Sequence, residues 1–235
     1  METAWKSNGV IVGAVVLGLA VIGVALLYTG AIQIGEPQAP SLDEELAISA
    51  DLPEDVRALL VASVEKLKSE LREDPTKVAA WFDLAIRYKT AGDFDGAVEI
   101  WEYLAAKYPT DPVPPHNLGE YYFHTVKDYP RAEKYYLSAI KIAPEFPINY
   151  LDLHDMYRYV YKEDTTAAVD ILNEALGKVS TPEGIDVLIA LAGYYNSKGD
   201  TENARTNYTL ARDAAKKFGN KALVERLDAE LKRLK

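Results

Sequence analysis

The chain has 235 residues, of which 49% are hydrophobic and 26% charged, as in an ordinary globular protein with room for one domain and a flanking segment. Its net charge of -10 does not suit the neutralisation of phosphates, so we expect no nucleic-acid partner. It contains no cysteine, which excludes disulfides, thiolate metal sites and cysteine nucleophiles.

The first feature along the chain is an uncharged stretch from Ser7 to Gly35. Its apolar part, residues 9–28, would span about 30 Å as a helix, which matches the hydrocarbon core of a bilayer. We therefore predict a transmembrane helix over residues 9–31 after a short cytoplasmic tail, residues 1–8. A cleaved signal peptide, with small residues at Thr29 and Ala31, is the alternative.

The flanks of this stretch predict its orientation. Lys6 precedes it, and only acids follow it for twenty residues. The positive-inside rule then places the N-terminus in the cytoplasm and the rest of a single-pass protein outside. Gly9 and Gly13 have the spacing of a small-xxx-small pair, so self-association through the anchor is a further possibility.

An acidic linker is predicted over residues 32–54. It contains Pro37 and Pro40 and a run of acids without an intervening base, so we expect an extended spacer with no core of its own. Pro53 and Glu54 then mark a helix start, and apolar residues at helical spacing follow. This predicts a capping helix or half-repeat over residues 55–74.

Internal repetition is the strongest signal in the sequence. The pattern Trp81-x-x-Leu84-Ala85-x-x-Tyr88, followed by Ala97 and Trp101, recurs three more times. The alanines that open each second helix show the period, with steps of 35, 36 and 36 residues: Ala97, Ala132, Ala168 and Ala204. We expect the extra residues, relative to about 34 in an ideal repeat, to lie in the turns.

The residues from about Lys77 to Phe218 resemble the tetratricopeptide-repeat (TPR) family. The resemblance implies an all-α solenoid of helix hairpins, each burying its apolar face against the next. It implies repeats over residues 77–110, 112–145, 147–182 and 184–218, and a C-terminal capping helix over residues 220–235. His154 stands where a small residue is usual, so looser packing of the third repeat is expected.

In TPR proteins the first helix of each repeat lines a concave groove that binds peptides or proteins. Carried over by the motif, the predicted groove residues are Phe82, Ile86, Lys89, His116, Asn117, Glu120, Phe123, Leu151, Asp155, Arg158, Tyr159, Ile189 and Asn196. The set lacks the Lys/Asn/Arg pattern with which some TPR domains clamp a terminal carboxylate. The alternative is that these side chains form a merely solvated inner face.

No motif predicts chemistry. His116, His124 and His154 have no metal-ligand spacing, and no phosphate loop or nucleophile elbow is present. We expect no catalytic residues, no metal and no cofactor, and therefore not an enzyme.

The sequence favours a membrane-anchored scaffold or adaptor that mediates protein–protein interaction, with a role in bacterial envelope assembly or secretion. One alternative is a cytoplasm-facing membrane receptor for polypeptides. A second is an enzyme or ligand-binding protein built on a solenoid.

Overall fold

The computed structural model describes residues 36–180 and 182–234. The chain divides into two units, residues 1–38 and 39–235, and the described helices all lie in the second. They are α1 (Glu54–Glu73), α2 (Val78–Ala91), α3 (Phe94–Lys107), α4 (Val113–Glu120), α5 (Tyr129–Ile142), α6 (Pro147–Met156), α7 (Ala167–Leu176), α8 (Gly184–Ser197), α9 (Thr201–Lys217) and α10 (Lys221–Arg233).

The predicted membrane helix, residues 9–31, lies outside the described residues, as do the tail and the self-association surface assigned to it. Across residues 36–180 and 182–234, no helix is both long and apolar enough to cross a bilayer. Even the 20-residue α1 carries nine charged side chains, in its first turn and throughout its second half. The predicted localisation, a single-pass membrane protein with a cytoplasmic N-terminus and an extracytoplasmic TPR domain, is therefore wrong.

The described helices pack in the order of the chain. Four hairpins form, α2 with α3, α4 with α5, α6 with α7 and α8 with α9, and each packs on the next. The helix α1 packs on α2 at one end, and α10 packs on α9 at the other. Because each hairpin touches mainly its neighbours, the apolar face of one is buried only by stacking on another.

The repeat motif accounts for the core. Large side chains fill equivalent places in successive hairpins, where Trp81, Tyr150 and the motif leucines are almost fully buried. Small residues allow close approach: a Cβ added to Gly119 would lie 2.8 Å from Cδ1 of Tyr136. His154, in the equivalent place of the third hairpin, is buried, and its Nδ1 donates to the Ala168 carbonyl 2.7 Å away. The His154 ring is thus buried with its Nδ1 atom hydrogen-bonded, as buried polar groups generally are.

Three of the hairpin turns share one device. An aspartate caps the second helix by accepting from the third backbone amide onward, as Asp93 does from Gly96 at 3.1 Å. Asp128 and Asp200 do the same. The residue before each aspartate is in the left-handed region, with Gly92 at φ 88° and Lys127 at φ 61°.

The extra residues of the middle repeats lie partly inside helices. From Tyr88 to Ala97 is nine residues, whereas the second hairpin has ten residues from Tyr122 to Ala132 and the third has eleven. In these two hairpins the first helix ends in a π-helical turn, Tyr121–Val126 and Tyr157–Tyr161. A π turn accommodates one additional residue, so the second hairpin keeps a two-residue link, while the third also needs a longer loop.

The acidic segment before α1 is not a free spacer. Residues 41–51, here called the strap, lie against α1 and α2, and Leu42 and Leu46 pack on the core. The Arg72 guanidinium donates to the Leu42 carbonyl at 2.8 Å, and the buried Lys68 ammonium donates to the carbonyl of Glu44. Bases on α1 thus hold the strap by its backbone, which its acidic composition did not predict.

Candidate functional site

The first helices of the hairpins stand side by side. Lys89 Nζ of α2 lies 3.0 Å from Glu120 Oε2 of α4, and His116 Nδ1 of α4 donates to Asn149 Oδ1 of α6 at 2.9 Å. An Arg158 nitrogen, at the end of the third hairpin's first helix, donates to the Gly193 carbonyl of α8 at 3.2 Å. These contacts place α2, α4, α6 and α8 in one row. Their outward side chains are here called the groove face.

All the predicted groove residues lie on these first helices or on the π turns that extend them. Ile86 and Tyr159 are the exposed apolar members, at 48% and 57%. Four others are apolar side chains that also pack against the core: Phe82, Phe123, Leu151 and Ile189. The remaining members are polar and at least partly exposed: Lys89, His116, Asn117, Glu120, Asp155, Arg158 and Asn196.

An apolar cavity opens where α4 and α6 begin. Its volume is about 140 Å³, and it is lined by Pro112, Val113, His116, Phe146, Ile148 and Asn149. Three of these side chains remain about half exposed: Val113 at 45%, Phe146 at 50% and Ile148 at 49%. The surface is therefore apolar, concave and open to a partner.

A cluster of carboxylates lies one helical turn further along the same two helices. His116 Nδ1 is 3.7 Å from Asp152 Oδ2. Burial raises the pKa of Asp152 to about 6; the charge of His116 opposes this rise, and the charges of Glu120 and Asp155 add to it. The carboxylate of Asp152 is thus held where its negative charge is disfavoured.

Tyr136 of α5 reaches the same cluster from behind. Its ring passes over Gly119 and lies 6.0 Å from the ring of His116. Burial raises the pKa of Tyr136, and the charges of Asp152, Glu120 and Asp155 raise it further. The buried hydroxyl has no hydrogen-bond partner in the part of the chain that the structure describes.

Several residues of this site were missed from the sequence. Val113 and Ile148 precede His116 and Leu151 by three residues, so helical spacing could have placed them on the groove face. Asn149 and Asp152 point between α4 and α6 rather than outward, and nothing in the repeat motif marks them. Tyr136 belongs to a second helix, where the motif assigns it only to the core.

The geometry offers little for catalysis or metal binding. Within residues 36–180 and 182–234, no group of three or more His, Asp or Glu side chains is placed to hold a metal ion. His154 is occupied by its bond to Ala168, and burial lowers its pKa. His116 and Asp152 form a polar pair, and within the described part of the chain no serine or threonine hydroxyl is hydrogen-bonded to either of them.

Comparison with solved structures bears on the fold. The crystal structure of MamA is similar to this chain, with a TM-score of 0.53 and 19% identity, covering 74% of this chain and 99% of that one. The fold is TPR-like. TTC0263, titled a thermophilic TPR protein of Thermus thermophilus, matches with a TM-score of 0.49 and 22% identity over 75% of this chain and 94% of its own.

Comparison of sequences adds nothing to this, because no family profile and no curated protein matches the chain. The TPR-like fold is typical of scaffolds for protein–protein interaction. Identities below a quarter extend the likeness to the fold alone, and they carry no partner or reaction over to this chain.

Proposed function

We propose that this chain is a scaffold that binds a peptide segment of another protein along its groove face. The observation that carries the proposal is the apolar cavity between α4 and α6, with Val113, Phe146 and Ile148 half exposed around it. Contiguous exposed apolar side chains in a concavity with a few convergent polar groups are typical of binding sites.

The polar members of the groove face support binding rather than catalysis. Asn117, Asp155 and Asn196 are at least partly exposed, and they offer donors and acceptors to a peptide backbone. We therefore propose no enzymatic role and no cofactor. A narrower role in envelope assembly or secretion depended on the localisation that is corrected above, and it is not part of the proposal.

The test is selection of ligands from a displayed library of random peptides on the immobilised full chain. We expect enriched peptides whose affinity falls about tenfold in the variants Ile86→Ser and Ile148→Ser. Burying such a side chain contributes about 1.5–3 kcal/mol, and about 1.4 kcal/mol corresponds to tenfold in affinity.

Matched controls lie on the second helices. Leu137 of α5 and Leu210 of α9 are exposed to a similar degree, 44% and 51%. Leu137→Ser and Leu210→Ser should leave the affinity of the selected peptides unchanged. Equal losses in both pairs of variants would contradict binding on the groove face, as would a library that yields no ligand.

A further inference from the structure

The cavity and the carboxylate cluster lie next to each other along α4 and α6, and the two together are here called the crevice. On α4, Val113 lines the cavity, His116 lies at the boundary and Glu120 belongs to the cluster. On α6 the order is the same, from Ile148 to Asp152 and Asp155. His116 contacts both parts, since it lines the cavity and lies 3.7 Å from Asp152.

The cluster has more negative charge than its surroundings balance. Glu120 is paired with Lys89 at 3.0 Å. Asp152 has only the ring of His116 within ion-pair distance, and Asp155 is exposed and makes no ion pair with any described side chain. The next base along the chain, Arg158 on the π turn after α6, is directed elsewhere, because it donates to the Gly193 carbonyl and lies over the ring of Tyr159.

The hydroxyl of Tyr136 is an independent sign that this place is built for a polar ligand. Its residue is completely buried, and an unpaired buried hydroxyl costs about 1–3 kcal/mol. It lies close enough to the carboxylates of Asp152, Glu120 and Asp155 for their charges to raise its pKa. Helix packing alone does not require a hydroxyl here, because a phenylalanine ring would fill the same space over Gly119.

The chemistry of the crevice selects its occupant. No group of acids and histidines among the described residues is placed for a metal ion, so an organic cation is the complementary charge. The neighbouring cavity of about 140 Å³ is close to the size of about 150 Å³ that holds a benzene molecule, and so it suits a Leu, Met or Phe side chain.

We propose that the crevice between α4 and α6 recognises an extended peptide with an apolar side chain two residues from a lysine or arginine. This inference rests on the proposed function and names the ligand class of the same face. Ile148, which lines the cavity, and Asp152 of the cluster are four residues apart on a helix, which is about 6 Å. Alternate residues of an extended peptide are about 6.6 Å apart and point to the same side, so the two subsites match that spacing.

The test uses synthetic Gly/Ser peptides that carry one leucine and one lysine, with the lysine placed one, two, three or four residues from the leucine. Binding to the full chain is measured by fluorescence polarisation. We expect the spacing of two to bind at least fivefold more tightly than the other spacings. Replacing its lysine with glutamate or norleucine should reduce affinity at least tenfold, and the lysine effect should weaken with salt.

Variants assign the charge preference to the cluster. Asp152→Asn and Asp155→Asn should each reduce the affinity of the lysine peptide several-fold while leaving that of the norleucine peptide unchanged. Glu174→Gln on α7 removes one exposed carboxylate outside the crevice and controls for net charge. Circular dichroism and melting confirm that each variant is folded.

The outcomes separate the two proposals. Leucine peptides that bind and respond to Ile148→Ser, but that do not distinguish lysine from glutamate, would overturn the charge subsite and leave groove binding standing. Equal binding at all spacings would overturn the two-residue register. If no peptide binds while displayed-library selection also fails, the proposed function itself is overturned.

Discussion

At the scale of single residues, Asp152 is a carboxylate in a place that disfavours its charge. Burial and two neighbouring acids raise its pKa to about 6, against an ordinary value of 3.8. Because the folded state holds this proton more tightly than the unfolded chain, the favourable contribution is complete below pH 4. It is lost as the pH rises through 6, so ionised Asp152 opposes folding at neutral pH.

We therefore expect Asp152→Asn to raise the free energy of unfolding by about 1–2 kcal/mol at pH 7. Each unit of pKa corresponds to about 1.36 kcal/mol, and partial exposure of the side chain reduces the full effect. The gain should shrink toward zero near about pH 3, where Asp152 is largely protonated in both states. Urea unfolding of both proteins at the two pH values measures it.

The neighbouring ion pair of Glu120 with Lys89 supplies a control. Glu120 is paired with Lys89, so Glu120→Gln removes a favourable contact and should not stabilise the fold. A loss of stability in Asp152→Asn at pH 7 would mean that the bond network with His116 outweighs the burial of the charge.

Residue-level features differ in how well the sequence predicts them. The motif residues Trp81, Leu84 and Ala85 can be assigned to the core, because the same types of residue recur at the same motif positions in the other repeats. The contacts of Asn149 and Tyr136 cannot be predicted in this way, because they depend on the distance between α4 and α6. That distance is a property of stacking, and no local pattern encodes it.

At the scale of elements, the π turns show how the solenoid accepts extra residues. Only the hairpins with more than nine residues from the motif tyrosine to the alanine of the second helix have a π turn in the described chain. The sequence predicts the insertions but assigns them to the links between helices. An insertion inside the last turn of the first helix is less disruptive than one in the link between the helices, because it preserves the aspartate cap that follows, as at Asp128.

Deleting Thr125, an exposed residue of the first π turn, should be tolerated. The second hairpin would then have the nine-residue spacing of the first, and its π turn should become a regular α turn. We expect the free energy of unfolding to change by less than about 1.5 kcal/mol, since no buried side chain is displaced. Urea unfolding followed by circular dichroism measures this change.

Deleting Arg87 provides the contrast. It is also exposed, but α2 has no extra residue to lose, so the deletion rotates Tyr88 by about 100° away from its buried place. The loss should exceed about 3 kcal/mol, the scale for losing a buried aromatic side chain. Similar losses in both deletions would contradict the view that the π turn stores the insertion.

The strap is an element that the sequence misassigned. Its acids and prolines are typical of a free linker, yet Lys68 and Arg72 bind its carbonyl oxygens. Backbone acceptors are present in every sequence, so composition gives no sign of them. Leu42 and Leu46 were the available signal, as two apolar residues at helical spacing within an acidic run.

At the scale of the whole described molecule, the core is divided in two. One cluster runs from α1 to α8, and the second joins α8, α9 and α10. The helix α8 contributes to both, with Leu191 in the first and Leu188 in the second. Stability in such a chain is approximately a sum of units and nearest-neighbour contacts.

Leu227→Ala in α10 should therefore act locally. This leucine is almost fully buried in the second cluster, and its truncation should cost about 2–4 kcal/mol there. We expect faster amide hydrogen exchange in α8, α9 and α10 and unchanged exchange in α2 and α3. A uniform increase through all helices would indicate a single cooperative unit instead.

The class of fold could be predicted because it follows from repetition. The expectation of an all-helical TPR-like fold is confirmed, since large and small residues recur at fixed places and only stacked hairpins satisfy them. The predicted localisation was wrong, since no helix within residues 36–180 and 182–234 is long and apolar enough to cross a bilayer. The ligand of the groove face depends on side chains that the repeat leaves free to vary, and so it stays a proposal.

The π turns also affect how ligand-contacting positions can be transferred from other repeat proteins to this chain. Phe123 and Tyr159 belong to these widened turns, and an extra residue turns every later side chain by about 100° relative to a regular helix. Position-by-position transfer of ligand contacts from a standard repeat consequently goes out of register at the end of the first helix of the second and third hairpins. A designer who grafts a consensus groove onto this frame should stop the graft at the motif tyrosine, or remove the additional residue first.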